Sequence, residues 1–223
     1  MVNVSVENTP QSPPRTDDLV TELRNSIVTG RFVPGQRLVE ADLAEEFGAS
    51  RGSVRGALAE LSVEGLVERV QNRGARVRAV TMEEAVEITE VRAALEALCA
   101  RKAAERIEEQ DISHLREIGR DMARAVDGGD REAYAAANKR LHALIIEVSG
   151  QKTAADTVQR LRGQAVRYQF RLANQQGRPQ VSLPQHLAII EAVCAHDPDS
   201  AAAAMQAHLT SVGTAIREIG ENL

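Results

Sequence analysis

Apolar residues recur with two different periods along this chain, and the change falls near residue 80. Before it, Leu19, Leu23 and Ile27 repeat every fourth residue, Leu43, Ala44 and Phe47 make a second stripe, and Val54, Leu58 and Leu61 a third. These stripes predict helices over about 17–29, 40–47 and 50–64. Thr16 and Ser50 are placed to cap the first and third, and Gly30, Gly48 and Gly65 stand where each must stop. Leu66 to Val70 and Ala75 to Val80 then alternate apolar with polar, which predicts a hairpin turning at Asn72 to Gly74. From Thr81 onward the period is helical throughout, opening on a Thr81-x-x-Glu84 capping box and a stripe of Ile88, Val91, Leu95, Leu98 and Cys99. Gly128-Gly129, Ser149-Gly150, Gly177-Arg178-Pro179 and Asp197-Pro198 divide this stretch into helices near 83–108, 111–127, 131–148, 153–176, 183–195 and 199–220. The expected organisation is a flexible tail over 1–14, a first domain over 15–80, and an antiparallel all-α helical bundle over 81–223.

Composition agrees with a globular, helix-rich chain: 43% of residues are hydrophobic and 26% charged. With two Tyr, three Phe and no Trp, the core must be built from Ala, Leu, Val and Ile. No window approaches the roughly 18 apolar residues needed to cross a bilayer, and the polar, Pro-rich start lacks the apolar core of a secretory signal. A cytoplasmic protein with no membrane partner is expected. Cys99 and Cys194 lie within apolar helical patterns and far from any CxxC spacing, so they read as core residues. The net charge of -5 hides an uneven distribution. Segments 47–59 and 69–80 hold six Arg and no acid, with Glu60 and Glu68 just outside them. Such stretches suit either a solvated face or a nucleic-acid surface.

The link Gly48-Ala49-Ser50 between the second and third helices has the length of a helix-turn-helix. Around it run Leu23-Arg24, Ile27, Gly30, Pro34-Gly35, Leu38, Glu40, Leu43-Ala44, Ser50-Arg51, Val54-Arg55, Ala57-Leu58, Leu61, Glu64-Gly65-Leu66-Val67 and Arg73-Gly74. This run resembles the winged helix-turn-helix of the GntR family of transcription regulators. The remainder resembles that family's FCD-type effector domain through Arg92, Glu96, Asn138-x-x-x-His142, His186 and His208. The resemblance implies a mainly α fold, with a small β-hairpin wing on the first domain and a helical bundle as the second. It also implies a ligand-responsive repressor whose effector is a small carboxylate.

A helix docked in the major groove reads bases with its N-terminal residues, because only that end reaches the groove floor. Ser50, Arg51, Ser53 and Arg55 occupy that end of the third helix. Arg51 and Arg55, four residues apart on one face, can each make a bidentate contact to guanine. Arg73 and Gly74 stand at the hairpin tip, where an Arg can enter a minor groove or grip phosphate and a Gly lets backbone come close. Gly52 and Gly56 weaken the third helix by roughly 1 kcal/mol each, which close approach to phosphate at Gly52 would justify.

Asn138 and His142 share a helix face with Tyr134, Leu141, Ile145 and Val148, while His186 and His208 lie on the apolar stripes of two later helices. Three imidazoles and a carbonyl converging from three helices favour a divalent metal over three separate core histidines. The donors suit Zn or Ni, and also Fe or Mn, with open positions left for a ligand. The related proteins' first ligand is Asp, from which Asn138 departs. Two readings stand for Arg92: neutralisation by Glu96 one turn on, or reception of an organic acid docked at the metal. His114 and His196 read as surface residues.

No phosphate loop, HExxH or Rossmann glycine pattern is present, so no enzyme is expected. A helical metalloenzyme would leave residues 20–80 without a purpose. A regulator for which the ion itself is the signal shares every feature. Two-fold proteins bind palindromic double-stranded operators, so a homodimer is expected.

Overall fold

The computed structural model of the chain describes residues 16–70 and 74–221, in two compact units that divide between Arg78 and Ala79. The expected tail over 1–14 and most of the hairpin turn, Arg73 included, lie outside the described residues.

The first unit holds α1 (Thr16–Thr29), β1 (Arg37–Leu38), α2 (Glu40–Glu46), α3 (Arg51–Val63), β2 (Val67–Val70) and β3 (Gly74–Val77). Its core is the set of apolar positions that the four-residue spacing brings inward. Leu19, Leu23 and Ile27 of α1 meet Val54, Ala57, Leu58 and Leu61 of α3, all buried. Gly30, Gly48 and Gly65 each take a positive φ after their helices, the left-handed turn that releases the chain. Ser50 caps α3, its Oγ accepting from Ser53 N–H at 3.0 Å. Arg24 of α1 holds Glu64 beyond the end of α3 through two parallel hydrogen bonds of 2.6 and 2.9 Å, so one ion pair fixes how these helices cross.

β2 and β3 form the expected antiparallel hairpin, although β3 ends at Val77 rather than Val80. The two-residue β1 is too short to carry a period and joins as the edge partner of β3, giving the order β1-β3-β2. Gly74 has φ +85, and a Cβ there would stand 3.0 Å from the carbonyl oxygen of Leu38 on β1. Close passage of β1 therefore requires glycine at this position, independently of any contact with DNA.

The second unit is a bundle of α4 (Met82–Arg106), α5 (Glu109–Asp127), α6 (Arg131–Ser149), α7 (Lys152–Gln164), α8 (Val166–Asn174), α9 (Arg178–Cys194) and α10 (Pro198–Glu221). Thr81 caps α4 by accepting from Glu84 N–H at 3.1 Å, and Asp130 caps α6 in the same way. α4 is the central helix, packed on α10, α6, α7 and α9. Its apolar stripe is not the expected one: Val91 and Leu98 are exposed, and the inward face is Ala85, Ile88, Thr89, Arg92, Ala93, Glu96, Cys99, Ala100 and Ala103. Small alanines let neighbouring helices approach, and a charged pair at the centre of that face replaces the apolar residues that period alone would place there.

Two further helices differ from expectation. The predicted helix over 153–176 is interrupted at Ala165, which closes α7 by donating to the carbonyls of Leu161 and Gly163 and is itself buried. Gly163 weakens the helix just before the break. α9 starts at Arg178 rather than near 183, because Pro179 falls in the first turn, where no amide hydrogen is needed. Cys99 and Cys194 are buried and unbridged. Among the described residues, no helix is long and apolar enough to cross a membrane.

Candidate functional site

In the first unit, the N-terminal turn of α3 presents Arg51, Gly52, Arg55 and Gly56 to solvent, with Ser53 half-buried beside Ser50. Arg51 and Arg55 thus share an exposed face. Arg55 is not idle there: its Nε and Nη2 donate to the carboxylate of Glu40, at the start of α2, with an Nη2–Oε2 distance of 2.8 Å. The hydrogen bond from Arg55 holds the Glu40 carboxyl below its usual range, and the charges of Arg69 and Arg51 reinforce the shift. Arg69, exposed on β2, therefore belongs to the same electropositive face, which period and spacing did not reveal. A Cβ at Gly52 would meet only Ser50 Oγ at 3.6 Å, so packing within the protein does not demand glycine there.

In the second unit, α6, α9 and α10 bring His142, His186 and His208 together. All three are buried, and one nitrogen of each lies within 4.8 Å of those of the others. Ring centroids are 4.3 Å apart for His186 and His208, and His142 lies 5.7 Å from His186 and 5.5 Å from His208. The other side of every ring is braced. His142 Nδ1 meets Glu96 Oε2 at 2.8 Å, His208 Nδ1 meets Gln185 Oε1 at 3.0 Å, and His186 Nδ1 meets the Tyr134 hydroxyl at 2.9 Å. A carboxylate and an amide oxygen can only accept, so His142 and His208 carry their hydrogen on Nδ1 and keep a lone pair on Nε2. Burial lowers all three imidazole pKa values. For His186 the neighbouring His142 and Arg178 add to the effect, for His208 the other two histidines and Arg178 do, and for His142 the hydrogen bond to Glu96 opposes it without reversing it.

The donor set fits a divalent cation. Neutral imidazole with a bare Nε2 and a partnered Nδ1 is the form that binds metal. Two buried atoms lack a hydrogen-bond partner: His186 Nε2, and Asn138 Oδ1 one helical turn before His142 on α6.

Arg92 lies fully enclosed against Glu96, its Nε and Nη2 donating to one oxygen at 2.9 and 2.8 Å. Glu96 is the hub of this side of the centre, for it also accepts from His142 and, at 2.6 Å, from Arg162 of α7. Burial alone would raise its carboxyl, but the charges of Arg92 and Arg162 and the bond from His142 outweigh burial and hold it well below the usual range. Of the two readings of Arg92, the geometry is that of neutralisation by Glu96. Arg162 was missed because a single arginine in a polar helix gives no pattern. His114 is exposed; His196 closes α9 with φ 54 and reaches the carbonyl of Ala104.

The two units have counterparts among known proteins. The sequence profile of the bacterial regulatory proteins of the gntR family matches residues 15–77, and that of the FCD domain matches residues 87–211. The galactonate operon transcriptional repressor of Escherichia coli K12 is 29% identical, over 93% of this chain and 97% of its own length. The transcriptional repressor RspR of the same organism is 27% identical, over 88% and 86% respectively. Escherichia coli McbR/YncC shares the fold, with a TM-score of 0.76 and 20% identity over 91% of this chain and 97% of that one. With two matched profiles spanning most of its length, the chain belongs to the GntR family of DNA-binding transcription regulators, in the branch that carries an FCD domain, and is not an enzyme.

Proposed function

We propose that this protein is a repressor whose operator affinity is set by a small organic acid bound at a metal centre in its second unit. The observation that carries the reading is the set of three buried, neutral histidines, each braced at Nδ1, beside an unpartnered Asn138 oxygen. His142, His186, His208 and Asn138 would hold the ion. Zn or Ni suits this donor set best, and Fe or Mn also fits it. A bound divalent ion would offer an open coordination position to a carboxylate. The surplus positive charge of Arg92 and Arg162 over Glu96 supports an anionic effector.

On the DNA side, Arg51 and Arg55 would read base edges, Ser50 and Ser53 would orient the helix on phosphate, and Arg73 with Gly74 would place the wing. A homodimer on a palindromic operator suits two-fold recognition, and a DNA-binding regulator of this bacterial family would act in the cytoplasm. Names among the relatives, the galactonate operon repressor and a probable D-xylose utilization operon repressor, support repression. Effector binding that favours one bundle conformation changes operator affinity by a coupling of about 1–3 kcal/mol.

Titration of operator binding decides between this reading and one in which the ion itself is the signal. With metal held saturating, an organic acid should change operator affinity about 5- to 150-fold. Full response to metal alone, and none to any acid, would make the ion the signal. Asn138→Asp should tighten metal binding by adding a carboxylate, and Asn138→Leu should weaken it. Equal metal affinity in all three proteins would remove Asn138 from the centre.

A further inference from the structure

Each of the three imidazoles is braced at Nδ1, but the braces are not chemically alike. Glu96 offers His142 a carboxylate oxygen and Gln185 offers His208 an amide oxygen, both acceptors only, so each fixes the hydrogen of its ring on Nδ1. His186 meets a phenol instead, the Tyr134 hydroxyl at 2.9 Å, and a hydroxyl can donate as well as accept. Contact alone leaves two arrangements for this ring. Either Tyr134 donates to Nδ1 and the imidazole hydrogen sits on Nε2, or Nδ1–H donates to Tyr134 and Nε2 is bare.

The surroundings of the ring separate the two. His186 is 1% exposed, and its Nε2 has no hydrogen-bond partner. A hydrogen on Nε2 would be a buried donor with nothing to receive it, which folded proteins rarely tolerate, whereas an unpaired lone pair costs less. The hydrogen of Tyr134 then needs an acceptor of its own, and α9 supplies one. Ser182, one turn before His186 and also buried, is hydrogen-bonded to the same phenol. A single side chain near the start of α6 thus spans two buried polar groups of α9.

On the reading that the three histidines hold a divalent ion, we infer that Tyr134 and Ser182 form a hydroxyl relay that sets the tautomer of His186. Nδ1–H donates to Tyr134, Tyr134 donates to Ser182, and Nε2 keeps its lone pair for the ion. Tyr134 is a positioning residue, since it touches the ligand ring and acts through it. Ser182 acts at one further remove. Without its oxygen the phenol hydrogen is left with His186 Nδ1 as its acceptor, and turning there drives the imidazole hydrogen onto Nε2, where the ion must bind. A serine with no hydrogen bond to any of the three histidines therefore decides whether one of them is a ligand.

Full-length protein carrying isotope-labelled histidine, in chelator, reports the tautomer of each ring by long-range proton–nitrogen correlation. His186 should carry its hydrogen on Nδ1 in the native protein and on Nε2 in Ser182→Ala, with His142 and His208 the same in both. Zinc affinity, measured by competition with a chelator, should fall about 10- to 100-fold in Tyr134→Phe and in Ser182→Ala alike. Adding Ser182→Ala to Tyr134→Phe should lose nothing more, because the relay is already cut. A purely structural hydroxyl would lower the metal-free melt and leave both the tautomer and the zinc affinity of the folded protein as they were. A native His186 with its hydrogen on Nε2, native zinc affinity in Tyr134→Phe, or losses that add in the double variant each overturn the inference. If Tyr134→Phe does not fold, the tautomer of Ser182→Ala decides. A native protein that binds no zinc while His186 keeps its hydrogen on Nδ1 overturns the metal reading and leaves the relay standing.

Discussion

On the proposed DNA-binding face Arg55 meets Glu40, and inside the bundle Arg92 meets Glu96, each with a shortest nitrogen–oxygen distance of 2.8 Å. The contacts are alike and their surroundings opposite. Arg55 is 64% exposed and Arg92 6%. In water an arginine can trade a carboxylate for a phosphate or a guanine at little cost, because solvent compensates both charges during the exchange. Within the bundle neither partner can be released without stranding the other in a medium that solvates charge poorly. One arginine is thus available to a ligand, and the other is part of the scaffold that holds His142.

The widest separation between the two regions should appear on removing the acid. Glu96→Gln leaves Arg92 and Arg162 without their counter-charge and frees His142 Nδ1, and should destabilise the protein by about 3–5 kcal/mol in urea unfolding. Glu40→Gln should leave the melting temperature unchanged. Equal behaviour of the two variants would mean that burial does not distinguish the pairs.

Next in size is the histidine centre. Zinc at about 100 times its Kd should stabilise the native protein by about 2.7 kcal/mol, and His142→Gln, His186→Gln or His208→Gln should each abolish that response in chelator-controlled melts. A native melt indifferent to chelator and to added ion would return the three histidines to the core. Acid provides a second probe, in chelator. The folded-state pKa of each histidine lies below the ordinary 6.5. Below that pH the unfolded chain takes up protons that the native state refuses. Stability is therefore fully present above about pH 6.5 and falls as pH drops toward the lowered values, by up to roughly 1.4 kcal/mol per pH unit for each ring. His208→Gln should reduce the slope by about a third. An unchanged slope would show that His208 titrates normally.

How far these sites could be read from sequence differs in the same way. α1, α2 and α3 are legible because their apolar spacing, caps and terminal glycines agree, and the meeting of His142, His186 and His208 because each imidazole lies on an apolar stripe. What period cannot show is a buried face made of alanine and paired charge. Val91 and Leu98 carry the hydrophobic signal on α4 and face solvent, whereas Arg92 and Glu96 do not carry it and are enclosed. The break at Ala165 has no proline or turn cluster to announce it, and β1 has too few residues to have a period. Arg162 and Arg178 acquire their significance only from partners distant in the chain, Glu96 and Ser211.

On the exposed side, Arg51→Ala and Arg55→Ala should each lower specific operator affinity on the order of tenfold and relax base preference, with folding intact. Arg73→Ala should weaken binding evenly across sequences. Specific binding should fall steeply with salt despite the acidic overall charge, since the local arginine face displaces the counterions condensed on the DNA phosphates. Unchanged specific binding in both recognition-helix variants would mean that α3 does not enter the groove by this end.

The smallest expected effect is that of Glu40 on the same face. Its carboxylate stays ionised beside Arg55, within the influence of Arg51 and Arg69, and so brings a negative charge into a surface that must accept phosphates. That repulsion opposes binding to every DNA sequence equally. The hydrogen bonds to Arg55 act differently, since they hold a long side chain near one orientation and reduce the freedom it must lose on meeting a base. Glu40→Gln removes the charge and weakens the hold. Binding to non-operator DNA should therefore tighten a few-fold, operator binding should change less, and the ratio between them should fall by roughly the same factor. Fluorescence anisotropy with operator and scrambled duplexes at two salt concentrations measures all three quantities. A specificity ratio that stays constant while both affinities rise would show that Glu40 only repels. A ratio that rises would show that it competes with the base for Arg55.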